Sequence, residues 1–256
     1  MELEYVPLLR AQRELYDLPR GRERFQAYLR TMVDARTGDL ELPLVAMNPM
    51  GKDHVPALLD RLLAARADGA GAVAMIRAAE RPATRNVRGR YRVALVVADD
   101  AHGGWTNRHQ SEFDHRFGGG ALYKRGWITG ILWTSEEPSA ETAGLEVATA
   151  VHRLAHIRRR GPAATLEAML AQEGEAMAAA GCREPSLDAD DLAYTREMMA
   201  SHLGAADRPT AIACLYGDEA ARELGYRPLG FSARAGLALA LDTARRRAAS
   251  TGPSRE

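Results

Sequence analysis

The residues best suited to chemistry in this chain are Asp99, Asp100 and His102. They stand in the run Asp99-Asp100-Ala101-His102-Gly103-Gly104-Trp105, directly after the apolar stretch Val93–Ala98. Adjacent carboxylates at the carboxyl end of a strand can hold a divalent cation or take a proton. The nearby imidazole adds a nitrogen ligand or an acid–base group, and two glycines let backbone amides approach a ligand. The plainer reading is that one aspartate caps the next element and the glycines make a turn.

Three other apolar runs stop in the same way. Leu42–Met47 leads into Asn48-Pro49-Met50-Gly51-Lys52-Asp53-His54, Trp127–Trp133 into Thr134-Ser135-Glu136-Glu137, and Ala211–Tyr216 into Gly217-Asp218-Glu219. As four parallel strands they would line up their carboxyl ends along one sheet edge, where open α/β folds bind ligands. Asn48 and Lys52 would then orient an anionic or carbonyl group, and Trp105 would wall the substrate. Glu136 and Asp218 would complete an acidic rim. Lys52 at a helix start suits an anion, yet the glycines and the Ser or Thr of a phosphate loop are missing. Asp53 reads as a helix cap.

His152 and His156 lie four apart on an expected helix, the spacing of two metal-binding histidines and an alternative metal site to Asp99, Asp100 and His102. Arg153 follows the first histidine where the metalloprotease pattern has Glu. The pair falls on the rim of the stripe Val147, Val151, Leu154 and Ala155, where a bond to a neighbouring carbonyl or carboxylate is the simpler account. His109 and His115 share no helix face. There is no G-x-S-x-G elbow, no G-x-G-x-x-G and no kinase motif set.

These groups need elements to position them. Residues 8–35 are expected to be helical with a break at Pro19-Arg20-Gly21, and residues 52–79 to form a long amphipathic segment, split near Asp68–Gly71. Further helices are expected over 106–117, from Ser139 to Arg160, and over 165–180, 189–203 and 233–248. Leu42–Met47, Val93–Ala98, Trp127–Trp133 and Ala211–Tyr216 are the expected strands, with Val93–Ala98 central. The predicted fold is therefore α/β, a three-layer sandwich with a short, mainly parallel central sheet and helices on both faces. One domain is expected over 1–250, with 1–38 as a helical segment packing on it and 251–256 as a tail.

Composition narrows the classes. Thirty-four basic residues balance 34 acidic ones, so no global field draws the chain to nucleic acid or an anionic membrane. Two cysteines make neither a disulfide framework nor a zinc motif. No apolar stretch is long enough for a membrane helix, and the amino terminus lacks the pattern of a secretory signal, so a cytoplasmic location is expected. The function expected is an enzyme acting on a small polar substrate, as a hydrolase or lyase, with a divalent metal ion as the suggested cofactor. Asp99 and Asp100 would act as base or metal ligands, with His102 as acid–base partner. A noncatalytic small-molecule binding module and a structural subunit are the competing readings.

Overall fold

The computed structural model describes residues 1–39, 41–44, 47–101 and 106–250. The chain forms two compact units, one of 1–108 with 119–151, the other of 109–118 with 152–256. In the first unit, β1 (Glu2–Tyr5) is followed by α1 (Leu9–Glu14), a 3₁₀ turn (Leu15–Asp17) and α2 (Arg22–Met32). Next come α3 (His54–Ala64), α4 (Ala67–Glu80), α5 (Pro82–Arg85) and β2 (Arg90–Ala98). Only Arg108 of α6 (Arg108–Phe117) belongs to this unit, which continues with α7 (Gly120–Lys124) and β3 (Trp127–Trp133). The following helix, α8 (Ala140–Arg160), contributes its residues through Val151.

The fold is α/β, with helices around a short, wholly parallel sheet in the order β1-β2-β3. Val93–Ala98 is central, as its unbroken apolar character predicts for a strand covered on both faces. Val93 is in register with Ile128 and Ala98 with Trp133, so β2 and β3 end together at one edge. All seven residues of β3 are buried. On the other side β1 is short, pairing Glu2 with Arg90 and Tyr5 with Val93. Beyond it, the buried side chain of Gln12 takes the place of a strand. Its Nε2 donates to the Val97 carbonyl at 2.7 Å, and its Oε1 accepts from the Val97 amide at 2.9 Å. Backbone groups buried without partners are costly, so this amide supports the last residues of β2. In α3, Val55, Leu58, Leu59 and Leu62 form the buried stripe that their spacing predicts.

Two expected strands are corrected. The described residues of Leu42–Met47 form no strand; Leu44 and Met47 are fully buried and apolar because they pack into the core. Pro43 and Pro49 remove two of the donors that a strand there would need. Ala211–Tyr216 is helical, within α11, described next.

The second unit holds the rest of α6 and α8, then α9 (Leu166–Ala180), α10 (Ala189–Met199), a 3₁₀ turn (Ala200–His202), α11 (Arg208–Tyr216), α12 (Asp218–Glu223) and α13 (Ala235–Ser250). Asp207 caps α11, accepting the Thr210 amide at 2.9 Å, and Pro209 occupies its first turn. All six residues from Ala211 to Tyr216 are buried, so no polar face marks the helical period. Gly217, at φ +94°, and Gly236 permit this enclosure: a Cβ on either would overlap backbone, of Ser232 and of Cys214 respectively. Among the described residues, no helix is long and apolar enough to cross a membrane.

Candidate active site

At the carboxyl edge of the sheet, five segments of the first unit deliver polar groups to one place. Asp99 and Asp100 follow β2, Thr134, Ser135 and Glu136 follow β3, Asn48 precedes α3, His54 opens α3 and Arg108 opens α6. Asp99 is the centre. Its side chain is 2% exposed, and its Oδ1 lies 2.7 Å from Nε2 of His54, an imidazole 21% exposed. The Asn48 amide donates to Asp99 Oδ2 at 2.7 Å. An ionised aspartate only accepts, so in this contact Nε2 of His54 carries the proton.

Thr134 joins the two aspartates. Its hydroxyl accepts the amides of Asp100 and Ala101 at 3.1 and 3.2 Å, and stands 3.1 Å from both Asp99 Oδ1 and Asp100 Oδ1. With one proton to give, it serves either carboxylate in turn. Asp100 also accepts the Ser135 amide at 2.9 Å, the Ser135 hydroxyl at 2.7 Å and Arg108 at 3.4 Å. Arg108 donates to Ser135 Oγ at 3.0 Å, pairs with Glu136 and stacks 5.1 Å from the centre of the Trp133 ring.

A further layer fixes Asn48. The Tyr16 hydroxyl donates to its carbonyl at 2.5 Å, the Gly51 amide to the same oxygen at 3.0 Å, and the Met50 amide to its Oδ1 at 3.0 Å. Burial first, and then the charge of Asp99, push the Tyr16 hydroxyl far above the ordinary phenol range. Tyr16 therefore acts as a fixed donor.

Of the residues singled out in the sequence, Asp99, Asp100, Asn48 and Glu136 converge, and Asp99 meets Asn48 directly. Lys52 is exposed and donates to none of them. His102 and Trp105 lie outside the described residues. Asp218 belongs to the second unit, where its Oδ1 accepts the amides of Leu229, Gly230 and Phe231 at 2.9 to 3.1 Å, a loop-fastening role. His152 is buried in α8, and His156 lies 2.8 Å from Glu175, a carboxylate, one of the two kinds of partner expected of a rim histidine. Four members of the cluster received no role from the sequence: His54, Arg108, Thr134 and Ser135. The signal for three of them was their place in the same strand-end runs.

Asp99 and Asp100 already have donors at each oxygen, and His102, the third ligand expected of a metal site, lies outside the described residues. Three of the four oxygens of Asp99 and Asp100 each have two donors in reach, and the fourth has Asn48, so little lone-pair capacity remains. The Arg108 guanidinium at Asp100 would also repel a metal ion. Among the described residues, no group of three or more His, Cys, Asp or Glu side chains is arranged to hold one. No protein-family model, curated protein or solved structure matches this chain.

Proposed function

We propose that the first unit is an enzyme acting on a small polar substrate, with His54 and Asp99 as its proton-transfer pair. The observation that carries this reading is the 2.7 Å contact between a buried carboxylate and a partly exposed imidazole at the carboxyl edge of a parallel sheet. Asp99 fixes the ring and its tautomer and stabilises the imidazolium. His54 takes a proton from water or substrate and returns it to the departing group, the step that a hydrolase or a lyase requires. Arg108 and Ser135 bind the anionic or carbonyl end of the substrate, with Glu136 and Asp100 holding Arg108 in place. A small molecule as partner and a cytoplasmic location belong to the same reading.

The test is a screen of small esters, amides and hydroxy acids, followed by His54→Gln. A His54→Gln variant with a wild-type thermal midpoint and at least ~10²-fold lower turnover supports the pair. Full turnover in that variant rejects it. Turnover abolished by a chelator and restored by a divalent ion would instead favour the metal-assisted form of the chemistry.

A further inference from the structure

In the first unit, α4 packs one face against β1 and β2 and leaves the other bare. Ala67, Gly71, Met75 and Ala78 form its buried stripe. Opposite them, Arg66, Gly69, Val73, Ile76 and Glu80 are all exposed. They follow one another at alternating steps of three and four residues, the spacing of a seam between two helices. Ile76, 55% exposed, is the barest large apolar side chain among the described residues, and Val73 is 48% exposed. A Cβ on Gly69 would meet no atom within 4 Å, so the seam is hollow there. Arg77, also exposed, lies at its margin.

The two ends of the seam carry opposite charges, and both oppose the helix dipole. Arg66 is the N-cap residue, where the helix end is already positive, and Glu80 closes the last turn, where it is negative. Neither forms an ion pair among the described residues. A second α4 lying antiparallel turns this misplacement into a match. With a two-fold axis at Val73, Arg66 and Glu80 each stand seven residues from the axis. Arg66 of one copy then meets Glu80 of the other at both ends of a seam about 21 Å long. Each helix end receives the sign of charge that its dipole favours. Near the axis, Ile76 of one copy comes over Gly69 of the other, where no side chain stands in the way. The parallel arrangement fails by the same counting, since Arg66 would face Arg66 and Glu80 would face Glu80.

We propose that the exposed face of α4 is the contact of a homodimer, two copies of this chain antiparallel about Val73, with Val73 and Ile76 covered between two Arg66–Glu80 pairs. A chain of zero net charge does not repel its own copy. Burial of the aliphatic side chains supplies the attraction, while the charge pairs at the rim set its direction. One helix per copy lies at the low end of interface sizes, so the dimer is a weak one, in exchange with monomer. The contact is independent of the His54–Asp99 pair and survives if that pair proves inert.

Sedimentation equilibrium of the full chain, from low micromolar to near-millimolar concentration, tests the contact. A reversible monomer–dimer equilibrium is expected with no larger species, because a two-fold contact closes on itself. Ile76→Asp should weaken it about tenfold or more, and Val73→Ser serves if that variant unfolds early. Arg66→Glu and Glu80→Arg should each weaken it about tenfold, since by symmetry every reversal enters twice. The chain carrying both should recover dimerisation to within about threefold of the original, because the pairs re-form with their signs exchanged. A monomer throughout, growth beyond the dimer, indifference to Ile76→Asp, or a double reversal no better than the singles would overturn the proposal and leave the face to a different partner.

Discussion

His54 and Asp99 stand 45 positions apart in the chain, yet the imidazole Nε2 meets the carboxylate Oδ1 at 2.7 Å, at the point where the central strand ends. Asp99 is enclosed and His54 is not. A buried acid behind a reachable base gives each a different task, one electrostatic and one chemical. It also separates the effects of replacing them.

Replacing Asp99 with Asn should destabilise the protein as well as impair turnover. Asp99 is buried and receives Asn48, His54 and Thr134. An amide would turn a donor toward some of those donors, for a cost of about 1–3 kcal/mol. Urea unfolding of Asp99→Asn beside His54→Gln should show that loss in the first and a smaller one in the second, since a glutamine amide can still donate to Asp99.

Removing Arg153 should be far more damaging than its place on a helix suggests. Arg153→Met leaves the fully buried Glu173 with its strongest partner gone, and breaking a buried pair from one side costs about 3–5 kcal/mol. Adding Glu173→Met in the same chain should recover part of that loss. Chemical denaturation of the single and double variants decides the matter, and a single-variant loss below about 1 kcal/mol would mean that water reaches Glu173.

Acid should unfold the second unit through Glu173. Its pKa falls from an ordinary 4.5 to about 2 in the folded state, so its contribution is complete above pH ~4.5 and is lost as the pH drops toward 2. Unfolding free energy followed from pH 6 to 2 should decline across that window, and the decline should be shallower in Glu173→Gln.

Gln12→Ala should loosen the end of β2. It strips partners from both the amide and the carbonyl of Val97, two buried backbone groups, at about 1–3 kcal/mol for each group left unpaired. Hydrogen exchange at the Val97 amide should rise well above that at Val93, which stays within the β1–β2 pairing, in register with Tyr5.

Much of the sheet and half of the site were legible in the residues. Val93–Ala98 and Trp127–Trp133 announced themselves because strands covered on both faces are apolar throughout, and Asp99, Asp100 and Glu136 followed as their polar ends. Ala211–Tyr216 carries the same signal for another reason, a helix buried on every side, and only Asp207 and Pro209 before it spoke for a helix start. β1 has two glutamates in four residues, and pairing with Arg90–Val93, a distant segment, makes it a strand. His54 opens a helix whose placement over the strand end depends on tertiary packing, so no local pattern assigns it to Asp99. The buried charges of the second unit were the least visible. Arg153 reads as an interruption between two histidines, and nothing nearby in sequence tells that Glu173 lies opposite it.

The Gln12 side chain bears on what this protein avoids as well as on what holds it. β1 stops at Tyr5, so β2 runs on past it with donors and acceptors that an extended segment from another molecule could capture. A strand filling that gap would itself offer a fresh edge to the next chain. One glutamine amide satisfies the Val97 donor and acceptor and then ends, with no further backbone to copy. The parallel sheet is thus closed to templated growth at that position.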